Sequence, residues 1–244
     1  MADMTTPHIS TSSVSRHFGG LIAVDQVDFA VPRGEIRAII GPNGAGKSTF
    51  VGMLCGRIAV SSGEIMFNGK DVTALPAHKR IRQGIAYTFQ ITSIYGRLSL
   101  KDNVRLATSW RWGSDEAALE NSIDEALHRV GLEDRMHQMA GDLSYGHQRL
   151  LEIAMGISQH PQLLILDEPT QGLADSEIAD FVTLIRELGG DMTILLIEHN
   201  MNVVMDTADQ ITVLNLGKVL ATGTPDEISA NREVQIAYLG ETHA

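Results

Sequence analysis

The residues best suited to chemistry lie in three short stretches, each directly after an apolar run. IIGPNGAGKSTF (39–50) sets three glycines around one lysine, and 41–48 matches the spacing GxxxxGK[ST]. Glycines let backbone N–H groups turn inward around phosphate oxygens. A helix starting near Lys47 adds its positive N-terminal end. The expected nucleotide contacts are therefore Gly41, Pro42, Asn43, Gly44, Ala45, Gly46, Lys47, Ser48 and Thr49. Lys47 can reach the β- and γ-phosphates, and the Ser48 hydroxyl can bind Mg2+. LLILDEP (163–169) adds two carboxylates. Asp167 can hold Mg2+ directly or through water, and Glu168 is placed to activate a water towards the γ-phosphate. Proton abstraction and in-line attack on a clamped phosphate together make hydrolysis. TILLIEHN (193–200) sets Glu198 and His199 at the end of a third run.

The runs at 36–40, 163–166 and 193–197 have the length and polar boundaries of strands buried on both faces of a parallel sheet. Helical patterns lie between them, so the expected core is α/β. A ligand of such a core sits at the carboxyl ends of the strands, where all three polar groups lie. Stretches 14–35 and 63–72 alternate and carry Gly-bearing turns, which predicts antiparallel strands, and 211–223 reads as a hairpin. The middle reads as helical. Ser99 and Asp102 have capping-box spacing, and Leu119, Ile123, Leu127 and Val130 form one core-facing stripe. The expected organisation is one domain over 1–244. Segments 1–97 and 161–244 form the nucleotide-binding core with an antiparallel β subdomain, and 98–160 form a mainly helical subdomain.

Composition narrows the class. A hydrophobic content of 43% supports a sizeable core, and a net charge of −11 argues against a bare nucleic-acid binder. The single cysteine, Cys55, excludes an internal disulfide and reads as a buried thiol. No apolar run approaches the roughly 18–20 residues that span a bilayer, and no signal peptide pattern is present. The expectation is a soluble, cytosolic chain that reaches a membrane only through a partner.

GDLSYGHQRLLEIAMGI (141–157), with Ser144 as N-cap and Gly146 in the first turn, reads on its residues equally as an ordinary capped helix or as a second anion-binding helix end. One chain does not need two such ends for one γ-phosphate. Here the sequence resembles the ATP-binding cassette (ABC) ATPases, whose LSGGQ motif begins such a helix. The resemblance runs over nearly the whole chain, with motifs in family order. It implies an ABC cassette built on a P-loop NTPase core, ATP and Mg2+ as ligands, and a head-to-tail cassette dimer. In that dimer Ser144, Gly146 and His147 close on the ATP of the second cassette. Phe18 takes the position of the aromatic that stacks on adenine. Gln90 in YTFQ resembles the glutamine that senses Mg2+ and the transmembrane partner. His199 resembles the switch histidine at the γ-phosphate.

Two departures from the family pattern stand out. Tyr145 replaces a glycine and His147 a glutamine in LSYGHQ, and Ala174 replaces the aspartate of the SALD loop, with Asp175 following. FGGLIAV, TFQ, LSYG and the ending GTPDEI…YLGE together resemble the ATPases of importers of branched-chain amino acids and related polar solutes. The implied partners are two transmembrane permease subunits, a second cassette (the same chain or a paralogue) and, indirectly, a solute-binding protein. The implied location is the cytoplasmic face of the cell membrane, held there by the permeases. A lipopolysaccharide-extracting branch shares the ending but usually keeps LSGGE. Soluble cassettes of DNA repair or translation carry insertions or tandem cassettes absent here, and an intact Glu168 and His199 disfavour a module that only senses nucleotide. The segment from Gln90 to Lys101 is expected to dock the permease, because Ile91, Ile94 and Tyr95 would otherwise lie uncovered in a loop.

Overall fold

The computed structural model describes residues 7–88 and 93–239. Two sheets form among them. In the first, β1 (Ile9–Phe18), β2 (Leu21–Val31), β4 (Ser62–Phe67) and β5 (Lys70–Asp71) run antiparallel in the order β2-β1-β4-β5. The second contains β3 (Ile36–Ile40), β6 (Ile85–Thr88), β7 (Leu163–Asp167), β8 (Thr193–Ile197), β9 (Gln210–Asn215) and β10 (Lys218–Gly223), in the order β10-β9-β3-β8-β7-β6. Its pairings are parallel except at the β9–β10 hairpin on the edge. The expected α/β core with an antiparallel edge is therefore present.

Every residue of β3, β7 and β8 is buried. Alternation across a pleat explains how a strand fills two cores at once. Leu164, Leu166, Ile194 and Leu196 enter one cluster, while Leu163, Ile165, Leu195 and Ile197 enter the cluster on the opposite face. The second of these also takes Phe50, Val51, Met53 and Leu54 from α1 (Lys47–Leu54) and the inner residues of the antiparallel sheet. Cys55, just after α1, is buried and unpaired by any disulfide.

Helix α2 (Ala77–Arg82) precedes β6. After the segment at 89–92 come α3 (Leu100–Trp112), α4 (Glu116–Arg129) and α5 (Tyr145–Ile157), which pack on one another. The stripe of Leu119, Ile123, Leu127 and Val130 is buried in the same cluster as Leu151 and Ile157 of α5. Ser99 caps α3 by accepting a bond from the Asp102 N–H at 3.0 Å. Asp102 does not complete the box on the backbone; its Oδ2 instead accepts from the Ser99 hydroxyl at 2.6 Å, since aspartate is one methylene shorter than the usual glutamate. The remaining helices are α6 (Asp175–Gly189), α7 (Met201–Thr207), α8 (Pro225–Ala230) and α9 (Arg232–Leu239). No helix among the described residues is long and apolar enough to cross a membrane.

The register sets the site. Ile39 of β3 and Asp167 of β7 both pair with Ile197 of β8, so the three strands end level with one another. The glycine loop, the 167–168 carboxylates and the 198–199 pair thereby emerge at one edge of the sheet, at its carboxyl end.

Candidate functional site

The loop leaves β3 at Gly41 and enters α1 through Gly46, its N-cap residue. Both glycines have positive φ, at 152° and 97°. A Cβ at Gly41 would collide with the Leu214 carbonyl oxygen, and one at Gly46 with that of Ala23. Only glycine satisfies the backbone and the crowding together. The loop is also pinned from outside: the Gly217 N–H donates to the Ala45 carbonyl at 3.0 Å, and the Asp25 N–H donates to the Gly217 carbonyl at 2.8 Å. Lys47 is buried, with Nζ on the carbonyls of Gly41 (2.6 Å) and Pro42 (3.1 Å) inside its own loop. Asn43, Gly44 and Ser48 are exposed, while Pro42 and Thr49 are half-buried.

Asp167 is the last residue of β7 and is buried. Its Oδ2 accepts from the Tyr87 hydroxyl at 2.6 Å, whereas its Oδ1 is buried without a hydrogen-bond partner. Burial pushes its carboxyl above the usual range; the Tyr87 bond opposes this, and the neighbouring Glu168 adds to it. The Tyr87 hydroxyl is driven well above its ordinary value by burial and by its bond to Asp167. Glu168 leaves the strand with φ at 48°, a left-handed conformation that is uncommon for a side chain of this size and clusters at functional sites. Its Oε1 meets His199 Nε2 at 2.6 Å.

Glu198 is the residue whose part sequence reasoning missed. It is buried, and one carboxylate oxygen accepts from the Thr170 N–H (3.0 Å) and hydroxyl (2.5 Å). The other accepts from the N–H groups of His199 (2.9 Å) and Asn200 (3.2 Å). One side chain thus ties the segment after β7 to the segment after β8. The available signal was an acid directly after a buried, mainly apolar strand, where an uncompensated charge would be costly.

A second cluster forms at the start of α5. Ser144 caps it, accepting from the His147 N–H at 3.3 Å, and the His147 ring turns back onto the same hydroxyl at 2.7 Å. Gly146 is buried against the Glu177 carboxylate, which accepts from the Ala174 N–H at 2.9 Å. Tyr145 packs near Gly172, and Arg149 lies over its ring. Asp175 opens α6 and is exposed. Phe18, at the end of β1, is 44% exposed and carries the Arg16 guanidinium 4.4 Å from its ring centre. Gln90 lies outside the described residues, as does Ile91.

A groove of about 500 Å³ runs between α2, α3 and α5, lined among others by Tyr87, Tyr95, Leu106, Trp110, Glu152 and Met155. Tyr95 is 59% exposed there. Ile94, expected to need a partner's cover, packs instead on the chain's own helical core.

A glycine loop between strand and helix, with carboxylates at the adjacent strand ends, defines the class: a P-loop nucleoside triphosphatase. The ABC transporter family model matches residues 24–171, more than half of the chain. A second model, for the branched-chain amino acid ATP-binding cassette transporter, matches residues 218–244. The high-affinity branched-chain amino acid transport ATP-binding proteins BraF of Pseudomonas aeruginosa and LivG of Escherichia coli K12 are each 37% identical, over 98% of this chain and 100% of theirs. The lipopolysaccharide export system ATP-binding protein LptB of Haemophilus influenzae is 30% identical, over 99% of this chain and 98% of its own. An ATP-binding cassette of an ABC transporter, solved in its ADP conformation, superposes with a TM-score of 0.87 at 26% identity, over 97% of this chain and 100% of that one. The chain belongs to the ATP-binding family of ABC transporters, the ATPases whose hydrolysis of ATP powers transport.

Proposed function

We propose that this chain energises an importer of branched-chain amino acids or related small polar solutes. The observation that carries the substrate class is the match of 218–244 to the branched-chain cassette model, beyond the part that all cassettes share. The near-complete overlap with BraF and LivG at 37% supports it over the lipopolysaccharide reading, where identity is 30%. The chain would sit at the cytoplasmic face of the membrane, held by two permease subunits and paired with a second cassette, with a solute-binding protein outside. The groove beside α3 and α5 suits a short permease segment, since Tyr95, Leu106 and Trp110 leave apolar surface open on it.

In this reading Phe18 stacks on adenine, and the backbone of residues 41–49 surrounds the phosphates with Lys47 against the β- and γ-groups. The donor set suits Mg2+, which keeps waters and takes one or two protein ligands besides phosphate. Ser48 offers a hydroxyl, and the unpartnered Oδ1 of Asp167 is a buried charge that a cation would compensate. Mg2+ there would neutralise charge on the β- and γ-phosphates. Glu168 takes the proton of the attacking water as general base, and His199 orients that carboxylate and the γ-phosphate. Gln90 would report the state of the site to the permease. Ser144, Gly146 and His147 would close on the ATP of the second cassette. For them to do so His147 must release the Ser144 hydroxyl that it now engages. The partner reading is tested by isolating the chain from its own membranes under mild detergent. Two permease subunits and a second cassette should co-purify in fixed ratio; a preparation free of integral membrane subunits would overturn it.

A further inference from the structure

We infer that Tyr87 is a positioning residue for hydrolysis, holding the Asp167 carboxylate by Oδ2 so that Oδ1 remains the oxygen available to the metal. The inference rests on the reading of Asp167 as the metal carboxylate. Tyr87 lies on β6, next to β7 in the sheet, and Tyr87 pairs with Ile165, two residues before Asp167. Its hydroxyl donates to Asp167 Oδ2 at 2.6 Å and accepts from the Arg57 guanidinium at 3.0 Å. Arg57 can only donate and the ionised carboxylate can only accept, so the phenolic proton is directed at Asp167. Arg57 follows α1, the helix that opens with Lys47, and also lies 5.1 Å from the centre of the Tyr87 ring. The contact therefore links the turn after α1, β6 and the end of β7. Among the described residues no other hydrogen bond fixes the Asp167 side chain, so without the phenol its rotamer has one restraint fewer. Partners that orient a metal-binding carboxylate typically set affinity by about 10–100-fold.

The test uses the full chain with Glu168→Gln present throughout, so that ATP survives, and Mn2+ as the probe for the metal. Mn2+ affinity of the ATP complex is read by electron paramagnetic resonance, and ATP affinity without metal by fluorescence. Tyr87→Phe keeps the ring and removes only the hydroxyl. It should weaken Mn2+ by about tenfold while leaving metal-free ATP affinity unchanged. In an Asp167→Asn background it should have no further effect, because it acts through that carboxylate. Unaltered Mn2+ affinity in Tyr87→Phe, with Asp167→Asn weakened, would overturn the inference alone. Unaltered affinity in Asp167→Asn would overturn the reading of the metal site and the inference with it. Equal loss of Mn2+ and metal-free ATP binding in Tyr87→Phe would reveal a structural role and also overturn it.

Discussion

At the residue scale the proposed general base is Glu168, and its surroundings fit a base that must be held still. It sits one position past the strand end, with a left-handed backbone fixed by its N–H bond to the Ile197 carbonyl at 2.8 Å. His199 holds its side chain. Glu168→Gln preserves shape and removes the base, so turnover should fall by about 10²–10⁴-fold while ATP still binds. A phosphate-release assay beside an ATP-binding titration checks both halves; turnover at the parent rate would remove Glu168 from the role. The placement of Lys47 and Asp167 at the carboxyl end of the sheet was legible because their motifs fix residue type and spacing together. Tyr87 was not legible, because a tyrosine in a short strand looks like any half-buried aromatic until the neighbouring strand is placed. Glu198 was visible only as an acid beside a histidine. Its four hydrogen bonds depend on two loops, 28 residues apart along the chain at Thr170, meeting in space.

Elements place these residues by ending at the same level. The order β3-β8-β7 brings three sequence-distant strand ends side by side, and Glu198 then stitches two of the loops that leave them. Replacing Glu198 with alanine removes the acceptor of four donors, two of them on the buried Thr170. The expected cost is about 2–4 kcal/mol, which corresponds to a fall in Tm on the order of 10 °C for a chain of this size. Thermal unfolding of Glu198→Ala beside the parent measures it, and an unchanged Tm would mean that water replaces the carboxylate. Much of the element plan was readable from the sequence. Short, mainly apolar runs gave β3, β7 and β8, since burial on both faces leaves little room for polar residues; the buried Arg37 of β3 is tolerated because Glu35 and Thr212 satisfy it. The pattern 211–223 gave the β9–β10 hairpin. It could not show that β9 joins the parallel sheet beside β3, because strand order is set by crossovers rather than by local pattern. Nor could apolarity alone say that Ile94 is covered by the chain's own helices while Tyr95 is open. Both look equally uncovered in a loop.

At the scale of the whole molecule, two surfaces share residues. One edge of the parallel sheet presents the loop, Asp167, Glu168 and His199; the groove of Tyr95, Leu106 and Trp110 faces outward between α2, α3 and α5. Tyr87 belongs to both, lining the groove and bonding Asp167. Helix α5 likewise runs between them. Its first residues form the Ser144 cap, and its Glu152, buried and paired with Arg149 at 2.8 Å, accepts from the Ser93 N–H at 2.5 Å beside the groove. In the proposed reading, a permease segment docked in that groove would be linked to the nucleotide site through Tyr87 and α5. The central claim is that ATP hydrolysis by this chain drives uptake of branched-chain amino acids. The direct measurement is uptake of radiolabelled leucine by cells of its own organism that lack the gene for this chain, restored with either the parent or Glu168→Gln. The account predicts that uptake is lost on deletion, returns with the parent and does not return with Glu168→Gln. Undiminished leucine uptake in the deletion, or full restoration by Glu168→Gln, would contradict it.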